Sequence, residues 1–84
     1  MEFFVYILYS VTADKYYVGH TENIERRLSE HNNKQTRFTS SLAKDWIVKY
    51  SKSYITRTEA MKAERTIKSK KSRKYIEWLI GQVG

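Results

Sequence analysis

The sequence predicts an α/β chain of the α+β kind, in which one three-stranded antiparallel sheet is flanked by helices in the order β-β-α-β-α-α. Three observations carry that prediction. Phe3 to Ser10 is apolar or aromatic at every position but the last, with no alternation of polar residues, so it reads as a strand covered on both faces and central in its sheet. The polar connection Val11 to Asp14 is too short for a crossover, so the next strand must pair antiparallel as a hairpin. Behind these come three stretches that each open on a helix-capping residue and continue with apolar residues at helical spacing.

Taken in order, strand one spans Phe3–Ser10 and strand two Lys15–His20, with Gly19 near its end, where a glycine permits a turn or a close approach. Thr21 or Asn23 caps the first helix, whose apolar Ile24 and Leu28 are four apart and whose Glu22 and Glu25 suit the positive end of the helix dipole. Arg27 lies beside that apolar stripe, and Arg26 points towards water. Asn32 to Lys44 has loop composition and the length of a functional loop. Trp46 to Tyr54 is rich in β-formers and predicts a third strand at the sheet edge, with Trp46, Val48 and Tyr50 on one face and Lys49 and Ser51 on the other. Thr56-Arg57-Thr58-Glu59 has the spacing of a capping box, so the second helix begins there and runs through Ala60, Ala63 and Ile67 to about Lys70. Ser72 caps a last helix in which Ile76, Leu79, Ile80 and Val83 recur every three or four residues.

At 84 residues, with no proline and no low-complexity segment, residues 1–84 are expected to form a single domain with one core. The absence of cysteine and the presence of two histidines exclude a disulfide framework and a zinc site of Cys/His spacing. Any metal would need oxygen ligands. No apolar run approaches the ~20 residues of a membrane span, and Met1-Glu2-Phe3-Phe4 lacks the basic start of a signal peptide, so the expectation is a cytoplasmic protein without membrane contact. The net charge of +7 is uneven. Residues 1–43 carry five basic and five acidic side chains, whereas residues 44–84 carry eleven and four. A field of that sign favours a polyanion, nucleic acid first, although a merely solvating face would look the same. Lys68, Lys70, Lys71, Arg73 and Lys74 are the basic run expected to grip a nucleic-acid backbone.

One residue is out of place. Glu64 falls on the apolar stripe of the second helix, four after Ala60 and three before Ile67. A desolvated carboxylate needs compensation, so it either pairs with a base or reaches solvent at the stripe's edge, or it faces a cavity and holds a cation. Tyr6, Tyr17, His20 and Arg27 could bind a phosphate and hold a water, and they lack only a metal ligand. Each has a plainer reading. The tyrosines could be core aromatics with hydroxyls at the rim, Arg27 could lay its stem along the helix, and His31, four after Arg27, could be a simple surface pair.

Jointly these residues resemble the GIY-YIG nuclease family. Phe4-Val5-Tyr6 and Tyr17-Val18-Gly19 stand for its two tripeptides across a short hairpin. The run from Tyr17 to Leu28 is similar to its strand, Asn-led helix and arginine, and Ala60-Met61-Lys62-Ala63-Glu64 is similar to its glutamate-bearing helix. The resemblance covers nearly the whole chain, which is similar to small stand-alone bacterial members consisting of the domain alone. It implies a GIY-YIG-like fold with Tyr6 orienting or activating water, Tyr17 beside it, and Arg27 on the scissile phosphate. It also implies that Glu64 is the ligand of one divalent ion, Mg²⁺ or Mn²⁺. His20 stands where relatives often have lysine, and His31 matches a histidine of some members; either could act as a base near neutral pH. Two departures are Phe4 in place of the first motif's glycine and, in Tyr75-Ile76-Glu77, the lack of the asparagine of DNA-repair relatives.

The resemblance therefore implies a metal-dependent endonuclease that hydrolyses DNA phosphodiesters, selective for structure or single strands, in DNA repair or processing, leaving 5′-phosphate and 3′-hydroxyl ends. The alternative is a non-catalytic module of the same fold that binds DNA or structured RNA. A role that requires a protein partner is a third reading.

Overall fold

Strand β1 (Phe3–Ser10) is buried along most of its length, with Val5, Tyr6, Ile7 and Leu8 all at 1% exposure or less. That burial follows from its place in the sheet. In the computed structural model, which describes residues 1–33 and 44–82, β1 lies between β2 (Lys15–Thr21) and β3 (Ile47–Tyr54), and both neighbours run antiparallel to it. Helices α1 (Ile24–Asn32), α2 (Arg57–Ser69) and α3 (Arg73–Gly81) complete the expected order. Most of the loop expected over residues 32–44, and Val83, lie outside the described residues.

Alternation along β1 sorts the core into two layers. Tyr6 and Leu8 project to one face, where they pack with Trp46, Tyr17 and the Ile24 and Leu28 of α1. Val5 and Ile7 project to the other, against Val18, Ala60 and Ile67, with α3 closing over Ile76, Leu79 and Ile80. The caps follow the sequence. Asn23, Thr56 and Ser72 each accept from the backbone N–H three residues on. Thr21 does not cap α1 but accepts from the Asn23 amide through its hydroxyl. At Thr56 the Glu59 carboxylate takes the threonine hydroxyl and not its amide, so half of the expected capping box is formed.

One expectation is corrected. Trp46, Val48 and Tyr50 do not share a face, because a β-bulge interrupts the β1–β3 ladder. Leu8 pairs with Val48 but Ile7 pairs with Tyr50, which leaves Lys49 as the extra residue. The one-residue slip sends Tyr50 to the α2–α3 layer while Trp46 stays with α1. Asn32 anchors this junction, accepting from the Trp46 N–H at 2.7 Å and donating to the Trp46 carbonyl at 3.1 Å.

Candidate active site

Tyr6 and Gly19 are direct partners across the β1–β2 ladder. A Cβ at position 19 would lie 2.7 Å from the Tyr6 hydroxyl and 3.0 Å from the Tyr17 ring, so the glycine is the gap through which the phenol crosses β2. Tyr17 is on the same face, its ring centroid 6.2 Å from that of Tyr6. His31, in the last turn of α1, completes the cluster, 4.6 Å from Tyr17 between ring centroids and within 3.2 Å of the Tyr6 hydroxyl through Nε2. Arg27 is one helical turn before His31, with Nη1 donating to Glu30 at 2.9 Å. Tyr6, Tyr17, Arg27 and His31 thus come together between the sheet and α1.

Burial dominates the electrostatics here. It pushes the Tyr6 phenol up to about 12, against the pull of the neighbouring Arg27 guanidinium, and it holds His31 down to about 4, with the Arg27 charge adding to the effect. Near neutral pH both are uncharged, and the 3.2 Å contact joins a neutral phenol to a neutral imidazole. This has a consequence for stability. An unfolded histidine titrates near 6.5 and the folded one near 4, so the unfolded chain binds the extra proton between those values. The His31 contribution is complete above pH 6.5 and lost as pH falls towards 4, at a cost on the order of 3 kcal/mol. Urea unfolding at pH 7, 6, 5 and 4.5 should show that decline, and His31→Gln should flatten it; equal slopes for both proteins would contradict it.

His20 and Glu64 meet on the opposite face of the sheet. Because His20 pairs with Val5, it projects to the α2 face and not to the tyrosine face. Its Nδ1 is 2.5 Å from Glu64 Oε1, and Lys68 Nζ is 2.6 Å from Oε2. The Glu64 side chain is 17% exposed. Desolvation works to raise its pKa, but the bonds from Lys68 and His20 outweigh it and hold the carboxyl below its usual range. The carboxylate opens onto a cavity of about 190 Å³ lined by His20, Met61, Glu64, Arg65 and Lys68.

The two groups meet around the free edge of β2. Lys68 reaches from α2 to within 6.0 Å of the Tyr17 ring centroid, and Lys68 and Tyr17 line a shared cavity of about 250 Å³ with Tyr16 and Lys71. The Glu64 charge is felt at Tyr6, where it adds to the upward shift. Among the described residues no three His, Cys, Asp or Glu side chains cluster as a cation cage. Glu64 is the carboxylate there that could take a hard divalent ion, with water and phosphate oxygens as the other ligands, but both of its oxygens are engaged, one by His20 and one by Lys68.

The structure divides the basic run. Lys68 and Lys71 line the groove beside Tyr17, and Lys70 lies over Tyr75 at 5.5 Å. Lys74 is exposed. Arg73 is drawn into a strap, donating to Asp14 Oδ1 at 2.6 Å and Glu77 Oε2 at 3.3 Å while its guanidinium lies 5.1 Å over Tyr16. In the region without the family asparagine, Glu77 accepts from Tyr16 and Arg73. Sequence reasoning did not identify Glu30 as the partner of Arg27 or Lys68 as the counter-charge of Glu64. The i,i+3 and i,i+4 spacings signal both pairs.

The model of the GIY-YIG catalytic domain matches residues 2–76. Among solved structures, the chain is similar to the solution NMR structure of a UPF0213 protein from Bacillus halodurans, at 26% identity and a TM-score of 0.61, over 98% of this chain and 85% of that one. No curated protein matches the sequence at a significant level.

Proposed function

The chain belongs to the family of GIY-YIG catalytic domains, a family of nucleases, and on that footing we propose that it is a metal-dependent endonuclease hydrolysing DNA phosphodiesters. We place its work in DNA repair or processing in the cytoplasm, on branched or single-stranded substrates. The observation that carries the reading is the Tyr6 hydroxyl held neutral beside Arg27 and bonded to His31 at 3.2 Å. Arg27 holds the scissile phosphate and meets the charge that grows on it. Tyr6 accepts a hydrogen bond from the attacking water through its phenol oxygen and orients it towards the phosphate; as the new P–O bond forms and the P–O3′ bond breaks, the water's proton leaves to solvent and the 3′ oxygen takes a proton from solvent. Tyr17 packs against His31 and keeps that ring in line. Glu64, backed by His20, would hold one Mg²⁺ or Mn²⁺, which supplies positive charge to the phosphate and the leaving 3′ oxygen. The products are a 5′-phosphate and a 3′-hydroxyl. Lys68 and Lys71, which line the groove, contact backbone phosphates without reading sequence.

A second reading, a nucleic-acid-binding module without turnover, is favoured by one feature: both Glu64 oxygens are held, by His20 and Lys68. Labelled single-stranded, branched and duplex DNA, incubated with the protein and its Glu64→Ala variant in Mg²⁺ or Mn²⁺, separates the two. Expected is cleavage by the parent protein and a loss of at least ~10²-fold in the variant with binding retained. Substrates left intact by both proteins, with equal binding, would establish the module and remove the enzyme.

A further inference from the structure

We propose that the cavity where β3, α2 and α3 meet is a second nucleic-acid site, which holds an unpaired base of a single strand apart from the Glu64 centre. The cavity measures about 240 Å³, and its walls include Tyr50, Lys52, Tyr54, Thr66, Tyr75 and Leu79. No carboxylate lines it. Lys52 lies 5.6 Å over the Tyr54 ring and Lys70 lies 5.5 Å over the Tyr75 ring, so a cation stands at each of two phenols. Tyr75 in turn stacks on Trp78, with ring centroids 5.8 Å apart and planes 29° from parallel. Trp78 is 57% exposed, a large flat apolar surface left to water at the end of an aromatic row.

Flat rings interleaved with ammonium groups, without a carboxylate, match a strand that offers an anionic backbone and bare base faces. A duplex hides those faces in its own stack, so the chemistry selects unpaired bases. Helix α2 separates this site from the cleavage centre. Ala63 and Thr66 line the aromatic cavity, whereas Glu64 and Lys68 line the cavity beside His20. A strand bound here is therefore about a helix diameter, ~10 Å, from Glu64. The site requires no turnover and stands apart from the endonuclease reading.

The two tryptophans provide the test, because Trp46 is 5% exposed and Trp78 is the exposed one. Titration with a 12-residue oligothymidine in EDTA, followed by tryptophan fluorescence and by anisotropy of a labelled strand, should quench the emission as binding saturates. Trp78→Phe should bind with the quench removed. Lys52→Glu combined with Lys70→Glu, both on the surface, should weaken binding by about tenfold or more, and a duplex of equal length should leave the emission unchanged. Binding without quenching, an affinity unmoved by the double charge reversal, or equal quenching by the duplex would each overturn the proposal. None of these readouts involves cleavage, so a protein that fails to cut can still bear the site out.

Discussion

Replacing Gly19 by alanine is expected to reduce cleavage by at least ~10²-fold and to lower folding stability by about 1–3 kcal/mol. The added Cβ would stand 2.7 Å from the Tyr6 hydroxyl and 2.9 Å from the ring carbon that bears it. Tyr6 cannot yield by turning to solvent, because it is 1% exposed and packed among Leu8, Trp46 and Leu28. Either the ring shifts and breaks its 3.2 Å contact with His31, or β2 separates from β1 and carries Tyr17 away from Tyr6; each displaces the phenol from the groups around it. Single-turnover cleavage together with thermal unfolding would measure the two effects. Parent-like rates would show that the position of the phenol is not set by β2.

Tyr6→Phe should leave the fold and DNA binding nearly intact while cleavage drops by roughly 10²–10⁴-fold. Phenylalanine fills the same space, so the packing against Leu8 and Trp46 remains, and only the hydroxyl that bonds His31 is lost. A buried hydrogen bond of that kind contributes about 1 kcal/mol to stability. The contrast with Gly19→Ala is informative, since one change displaces an intact phenol and the other removes its chemistry in place. Rates and binding measured on the same DNA would separate them. Cleavage at the parent rate would show that the Tyr6 hydroxyl does not orient the attacking water.

Much of the fold was legible because its signals are local. The uninterrupted apolar run Phe3 to Tyr9 marked the central strand, and Thr56 and Ser72 marked two helix starts through hydrogen bonds that close within three residues, while the first helix's cap was left between Thr21 and Asn23 until the structure gave it to Asn23. Glu64 announced itself as a carboxylate on an apolar stripe. The face taken by His20 was not announced, since it depends on pairing with Val5 in the sheet. Tyr50 was misassigned because a bulge at Lys49 breaks the alternation without any mark in composition. Arg73 looked like one more cation in a basic run, and only its approach to Asp14, 59 residues away in sequence, turns it into a strap between α3 and the hairpin.

By itself, then, the sequence determined the element order, most of the helix starts and the residue types able to do phosphoryl chemistry, because propensity, periodicity and capping act within a few residues of one another. Only the tertiary structure decided which of those residues meet. Tyr6, Tyr17, Arg27 and His31 gather on one face of the sheet, while His20 and Lys68 take up Glu64 on the other. That division follows from strand register and from burial, which are properties of chain segments brought together from far apart.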